Sequence, residues 1–150
     1  MDEDLVILIA EDDDGHALLI QKNLEAAGIK NKIIRFVNGE ELLDFLFYTN
    51  RKNAKNGKPH MKHGTPYIVL LDIRMPKVDG IEVLEKIKSD DQMQKLPVIM
   101  LTTTDDPREI EKCHLLGCNN YVTKPLDYEH FIEVIKRLGY FLKIVKVPNV

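Results

Sequence analysis

The chain has 150 residues, a formal net charge of −3 at pH 7 and 44% hydrophobic residues. That length fits one domain with a core of its own, residues 1–150. Slight net acidity speaks against a dedicated nucleic-acid binder, which is usually basic. No apolar run is long enough to span a bilayer, and the acidic opening Met1-Asp2-Glu3-Asp4 lacks the charged-then-apolar order of a signal peptide, so no membrane partner and a cytoplasmic location are expected.

Taken in order, the chain alternates strand and helix. Leu5 to Ala10 reads as a buried strand. Asp14 is positioned to cap a helix with an apolar stripe at Ala17, Ile20, Leu24 and Ala27, ended by Gly28. Lys32 to Val37 is a second strand. Asn38-Gly39-Glu40-Glu41 places a cap with Glu three residues on, and Leu42, Leu43, Phe45 and Leu46 form the buried face that follows. Tyr67 to Leu71 is a third strand, running into Asp72-Ile73-Arg74-Met75-Pro76. An Asp at such a strand end is either a turn former or a reactive group at a sheet edge.

Asp79 is expected to cap a helix with Ile81, Leu84 and Ile87 inward, and Pro97 to Leu101 is a fourth strand. Asp106-Pro107-Arg108-Glu109 combines a cap, Pro at the first helical position and Glu at the third, with Gly117 as the stop. Tyr121 and Val122 mark a short fifth strand. Asp127 precedes a last helix with Tyr128, Phe131, Ile132, Ile135 and Leu138 on one side. Cys113 and Cys118, five apart, are spaced poorly for a metal pair and read as structural thiols.

Such repeats give an α/β fold, a parallel sheet with right-handed crossovers and helices on both faces. Ligands of these sheets sit outside the carboxyl ends of the strands. That edge gathers Glu11, Asp12 and Asp13 after strand one, Asp72 after strand three, Thr102, Thr103 and Thr104 after strand four, and Lys124-Pro125 after strand five. Asp14, Asp79, Asp106 and Asp127 are the caps, which leaves Glu11, Asp12 and Asp72 without that task. Two carboxylates ~4 Å apart repel by ~4 kcal/mol at an effective dielectric of ~20, so the group calls for a cation. Oxygen-only ligands suit a hard divalent ion such as Mg²⁺ (or Mn²⁺). With it, Asp72 stays anionic and nucleophilic toward a phosphoryl group. Lys124 offers a point charge, and Thr102 a hydroxyl donor, to the phosphoryl oxygens.

This pattern resembles a response-regulator receiver domain. The matching elements are Glu11-Asp12, Asp72-x-x-Met75-Pro76, Thr102 after Pro97-Val-Ile-Met-Leu, and Tyr121-Val-Thr-Lys124-Pro125, spread over roughly residues 5 to 138. The resemblance implies a flavodoxin-like doubly wound sheet of five parallel strands, order 2-1-3-4-5, with five helices. It implies Asp72 as phospho-acceptor. Asp12 and Asp72 would be direct Mg²⁺ ligands, Glu11 a ligand through water, and the Arg74 backbone carbonyl a further one. Thr102 and Tyr121 would be the switch pair, Thr103 would face the phosphoryl group, and the Lys124–Pro125 bond would be cis. Arg74 and Thr104 would tune phosphoryl lifetime, Arg74 by shielding the acyl phosphate from water. Phosphorylation would then change the face made by helix four, strand five and helix five.

Two features exceed a minimal receiver. The connection from Asn50 to Pro66 is long and carries Arg51, Lys52, Lys55, Lys58 and Lys62 with no acid, either as a solvated loop or as a docking element for an acidic partner. His60 and His63 flank Lys62, which argues against a metal there. Beyond Gly139, expected to break the last helix, Tyr140 to Val147 is apolar and β-prone, and this extension (139–150) is expected to pack on its own domain or on a second copy. With the receiver pattern taking up nearly all of these residues, no DNA-binding output domain is expected. The long loop, the Lys88-Ser89-Asp90 stretch and the tail are similar to small stand-alone regulators that partner phytochrome-type histidine kinases.

The expected function is that of a single-domain response regulator of a two-component phosphorelay. Its partners would be a sensor histidine kinase, a downstream protein and a second copy of itself through the helix 4/strand 5/helix 5 face and tail. It is a phospho-acceptor rather than an enzyme, with at most slow Mg²⁺-dependent self-phosphorylation and self-dephosphorylation. One alternative is a pseudo-receiver scaffold that is never phosphorylated. Another is a haloacid-dehalogenase-type phosphatase, against which Arg74 stands where that family wants a second Asp.

Overall fold

In the computed structural model, residues 3–47 and 60–150 are described. The basic residues Arg51, Lys52, Lys55 and Lys58 lie outside them. Five strands form one parallel sheet: β1 (Val6–Ala10), β2 (Ile33–Phe36), β3 (Tyr67–Leu71), β4 (Val98–Thr102) and β5 (Asn120–Thr123), in the order β2-β1-β3-β4-β5. The helices are α1 (Asp14–Ala26), α2 (Gly39–Leu46), α3 (Gly80–Ser89), α4 (Pro107–Leu116) and α5 (Tyr128–Leu142), with a 3₁₀ turn at Met93–Lys95. Strand order reverses between β1 and β3, so the loops after these two strands face a common crevice.

Alternation along the strands builds two cores. Leu8, Ala10, Val69, Leu71, Val98 and Met100 face α2, α3 and α4; Ile7, Ile9, Ile68, Leu70, Ile99 and Leu101 face α1 and α5. Strands covered on both sides lose their polar alternation, which is why β3 and β4 are buried at every residue.

The caps differ in detail from those expected. Asp13, not Asp14, caps α1 by accepting from His16 N at 3.0 Å; Asp14 lies inside the first turn and pairs with Arg35. Asn38 and Asp79 cap as expected. Glu41 accepts from Val37 N at 3.3 Å. Asp106 caps α4, but Glu109 turns to Arg74 instead of back to the cap. Asp127 bonds the His130 ring rather than a backbone amide, and Tyr128, the first residue of the helix, is exposed ahead of the residues that pack against α1.

Gly139 does not break the last helix. A glycine inside a helix costs only ~1 kcal/mol, and here it permits close approach to α1: a Cβ would lie 2.8 Å from that of Ala27. The extension therefore begins after Leu142. It forms no strand; Val145 and Val147 pack against the α1–α5 core and Val150 against the other, while Tyr140, Phe141 and Ile144 remain exposed.

Candidate functional site

The site begins with register. Ala10 pairs with Leu71, so the next residues emerge side by side, and Asp72 N donates to Ala10 O at 3.1 Å. Thr102 pairs with Thr123, and Lys124 N donates to Thr102 O at 2.7 Å. Gly80 seats α3 on the loop that follows β3: any Cβ there would fall 2.0 Å from the Asp72 carbonyl oxygen. Glu11, Asp12, Asp72, Thr102 and Lys124 thus meet at one edge.

Asp12 is exposed, whereas Glu11, Asp72, Thr102 and Lys124 are all less than a tenth exposed. Charges so buried must be paired. The Lys124 ammonium forms an ion pair with Glu11 and lies 3.3 Å from Asp72 Oδ2. Asp72 Oδ1 accepts from Ile73 N at 2.8 Å, and Glu11 Oε2 from Asp13 N at 3.2 Å. Burial pushes the Glu11 carboxyl up to about 7; the ammonium opposes that rise and the Asp72 charge adds to it.

Oxygens of Glu11, Asp12 and Asp72 lie within 4.8 Å of one another, the one cluster of this kind among the described residues. Three hard oxygen donors, one of them facing solvent, fit a divalent cation that keeps several waters. The chemistry of the set therefore suits Mg²⁺ or Mn²⁺, which would neutralise charge on a phosphoryl group beside Asp72.

The other expected residues are arranged around this centre. Thr103 is exposed, and Thr104 N approaches Thr102 Oγ1 at 3.5 Å. Tyr121, half-buried, donates its hydroxyl to Thr104 O at 2.7 Å, and burial pushes that phenol up to about 12. The Arg74 guanidinium is engaged by α4, 2.9 and 3.1 Å from the two carboxylate oxygens of Glu109. The Lys124–Pro125 bond, expected cis, is trans, as is every peptide bond described. Trans is the intrinsic preference even before proline, by ~0.5–1 kcal/mol, and the Lys124 amide and ammonium find their partners with the bond in that form.

Two residues of the site were not read from sequence. Arg35 reaches across from β2, donating to Glu11 O at 2.9 Å and Asp12 O at 3.3 Å and pairing with Asp14 at 2.8 Å. A lone Arg in the apolar run Ile33-Ile34-Arg35-Phe36 was the available signal. His16 places Nδ1 3.3 Å from the Lys124 ammonium. Only its position shortly after the acidic run Glu11-Asp12-Asp13-Asp14 hinted at this.

Sheet order, crevice and acidic edge together define a flavodoxin-like α/β domain whose carboxylate cluster fits a divalent cation. The model for the response regulator receiver domain matches residues 7–136, and the chain belongs to that family of two-component phospho-acceptors. A receiver domain from Rhodospirillum rubrum is 41% identical and superposes with a TM-score of 0.86 over 97% of this chain and 98% of its own. Rcp1 of Synechocystis sp. is 28% identical over 144 residues, covering 95% of this chain and 92% of its own. The Mn²⁺-bound form of Rcp1 has a TM-score of 0.81 over 95% and 98% of the two chains. The phosphorylated cyanobacterial phytochrome response regulator RcpA is 28% identical, with a TM-score of 0.80 over 96% and 98%.

Proposed function

We propose that this protein is a single-domain response regulator that accepts a phosphoryl group on Asp72 from the phosphohistidine of a sensor kinase. The observation that carries this reading is the buried Lys124 ammonium lying between Asp72 and Glu11, with Asp12 at the rim. A carboxylate oxygen of Asp72 forms the new bond to phosphorus as the phosphorus–nitrogen bond of the donor breaks and the imidazole departs. Asp12, Asp72 and Glu11 would hold Mg²⁺, with the Arg74 carbonyl as a further ligand. Lys124 and Thr102 would meet the phosphoryl oxygens, with Thr103 at their rim.

The modification adds about −1.5 to −2 charges at pH 7. Thr102 would move toward them, and Tyr121 would leave Thr104 O for the space vacated. The phosphoryl group drives this only by binding one arrangement better than the other. Arg74 and Thr104 would set how long it persists. The output face would be α4, β5 and α5, where a groove of about 300 Å³ is lined by Tyr121, Val122, Leu138 and Phe141. A second copy and a downstream protein are the partners assigned to this face and the tail; likeness to RcpA supports a phytochrome-type kinase as donor.

Intact mass after incubation with acetyl phosphate and Mg²⁺ tests the reading. One phosphoryl adduct is expected, lost completely in Asp72→Asn and with EDTA. No adduct at any dose would favour a scaffold that acts without phosphorylation.

A further inference from the structure

We propose that His16 is a positioning residue for Lys124: its neutral imidazole accepts, through Nδ1, a hydrogen bond from the ammonium and holds it beside Asp72. The inference rests on Asp72 being the phospho-acceptor.

An ammonium carries three donors and no acceptor. Lys124 finds three partners: Glu11 Oε1, Asp72 Oδ2 at 3.3 Å and His16 Nδ1 at 3.3 Å. A nitrogen facing this donor must present its lone pair, so the ring proton sits on Nε2. A doubly protonated ring would have no lone pair to offer and would set its charge against the buried ammonium. The competing pairing, His16 with Glu11, spans 4.0 Å and is no hydrogen bond.

His16 differs from the other two partners. Glu11 and Asp72 both belong to the acidic cluster that fits a cation. With a cation bound, their oxygens would be divided between it and Lys124, whereas the hydrogen-bond partner of His16 Nδ1 is Lys124. The residue is also anchored at its backbone and at its ring. Its backbone amide is bonded by Asp13, the α1 cap, at 3.0 Å. Its edge meets Phe131 of α5, with centroids 5.3 Å apart and planes at 81°. Phe131 is itself buried in the core. A short, rigid, doubly anchored acceptor thus aims the end of a long flexible side chain.

The test separates the acceptor atom from the aromatic contact. His16→Phe keeps the ring against Phe131 and removes the lone pair; His16→Gln supplies an oxygen and removes the ring. Initial rates of Asp72 adduct formation from acetyl phosphate and Mg²⁺ are read by intact mass. His16→Phe is expected to slow the rate on the order of tenfold, as for loss of one charge-assisted hydrogen bond, and His16→Gln to recover most of it. A second readout needs neither phosphodonor nor metal. The ¹⁵N resonance of His16 Nδ1 is compared in wild type and Lys124→Met at pH ~8, where an imidazole of ordinary pKa is neutral. It is expected to move downfield when its donor is lost.

A wild-type rate in His16→Phe, or a His16→Gln as slow as His16→Phe, overturns the inference while the phospho-acceptor reading stands. An Nδ1 resonance indifferent to Lys124→Met also overturns it. No adduct on wild type overturns the phospho-acceptor reading, and the Nδ1 shift then decides alone whether the contact exists.

Discussion

The centre and the edge of the sheet handle polar groups in opposite ways. At the carboxyl edge, Glu11 after β1, Asp72 after β3, Thr102 at the end of β4 and Lys124, which leaves β5 and turns inward, are buried against one another. Around β5 the polar groups reach solvent: Asn120 and Thr123 are exposed, Tyr121 is half-buried, and the Arg74 side chain is 66% exposed in its pair with Glu109. In the centre each charge depends on its neighbours, since an unpaired one is costly where water is excluded. At the edge water substitutes for any lost partner. A centre of this kind holds one geometry for chemistry, and an edge of this kind can change its surface at low cost.

The largest expected effect is on the central ammonium. Lys124→Ala leaves Glu11 and Asp72 facing each other, and removing one partner of a buried charge cluster costs ~3–5 kcal/mol. Urea unfolding of the metal-free protein should show that loss, and Mg²⁺ should restore a large part of it. An unchanged unfolding midpoint would mean that the centre is as forgiving as the edge.

A smaller effect follows from Glu11. Burial pushes its carboxyl up to about 7 in the fold, against 4.5 for the ordinary group. Between those values the folded chain holds a proton that the unfolded chain has released. Its contribution to stability is therefore full below the lower value and lost as pH rises toward the upper one. Unfolding midpoints of metal-free protein should fall across that window, and Glu11→Gln should flatten the fall. A wild-type curve already flat there would remove the burial argument.

The smallest effect is expected at the edge. Arg74→Ala breaks a pair whose guanidinium is largely solvated, so stability should change by less than ~1 kcal/mol. A larger loss would show that the β3–α3 loop and α4 are coupled as tightly as the centre is.

The fold was legible because the core pattern is one-dimensional. Short uninterrupted apolar runs such as Tyr67 to Leu71, bounded by turn formers, fit strands covered on both faces, and helices between them impose parallel pairing. The site was legible for the same reason: strand ends in such a sheet converge, so Glu11, Asp12, Asp72, Thr102 and Lys124 had to meet. The caps were legible only to within a residue, because neighbouring aspartates such as Asp13 and Asp14 compete for the same amide.

What the sequence determined by itself was therefore the sheet, its two covered faces and the residue types at its carboxyl edge. Periodicity and chain direction suffice for these. Tertiary structure alone decided that Glu109 meets Arg74 rather than its own helix start, that Gly139 admits α1 instead of ending α5, and that Arg35 and His16 join the site. These depend on distances between segments far apart in the chain, where local preferences of ~1 kcal/mol yield to packing and to the pairing of buried charge.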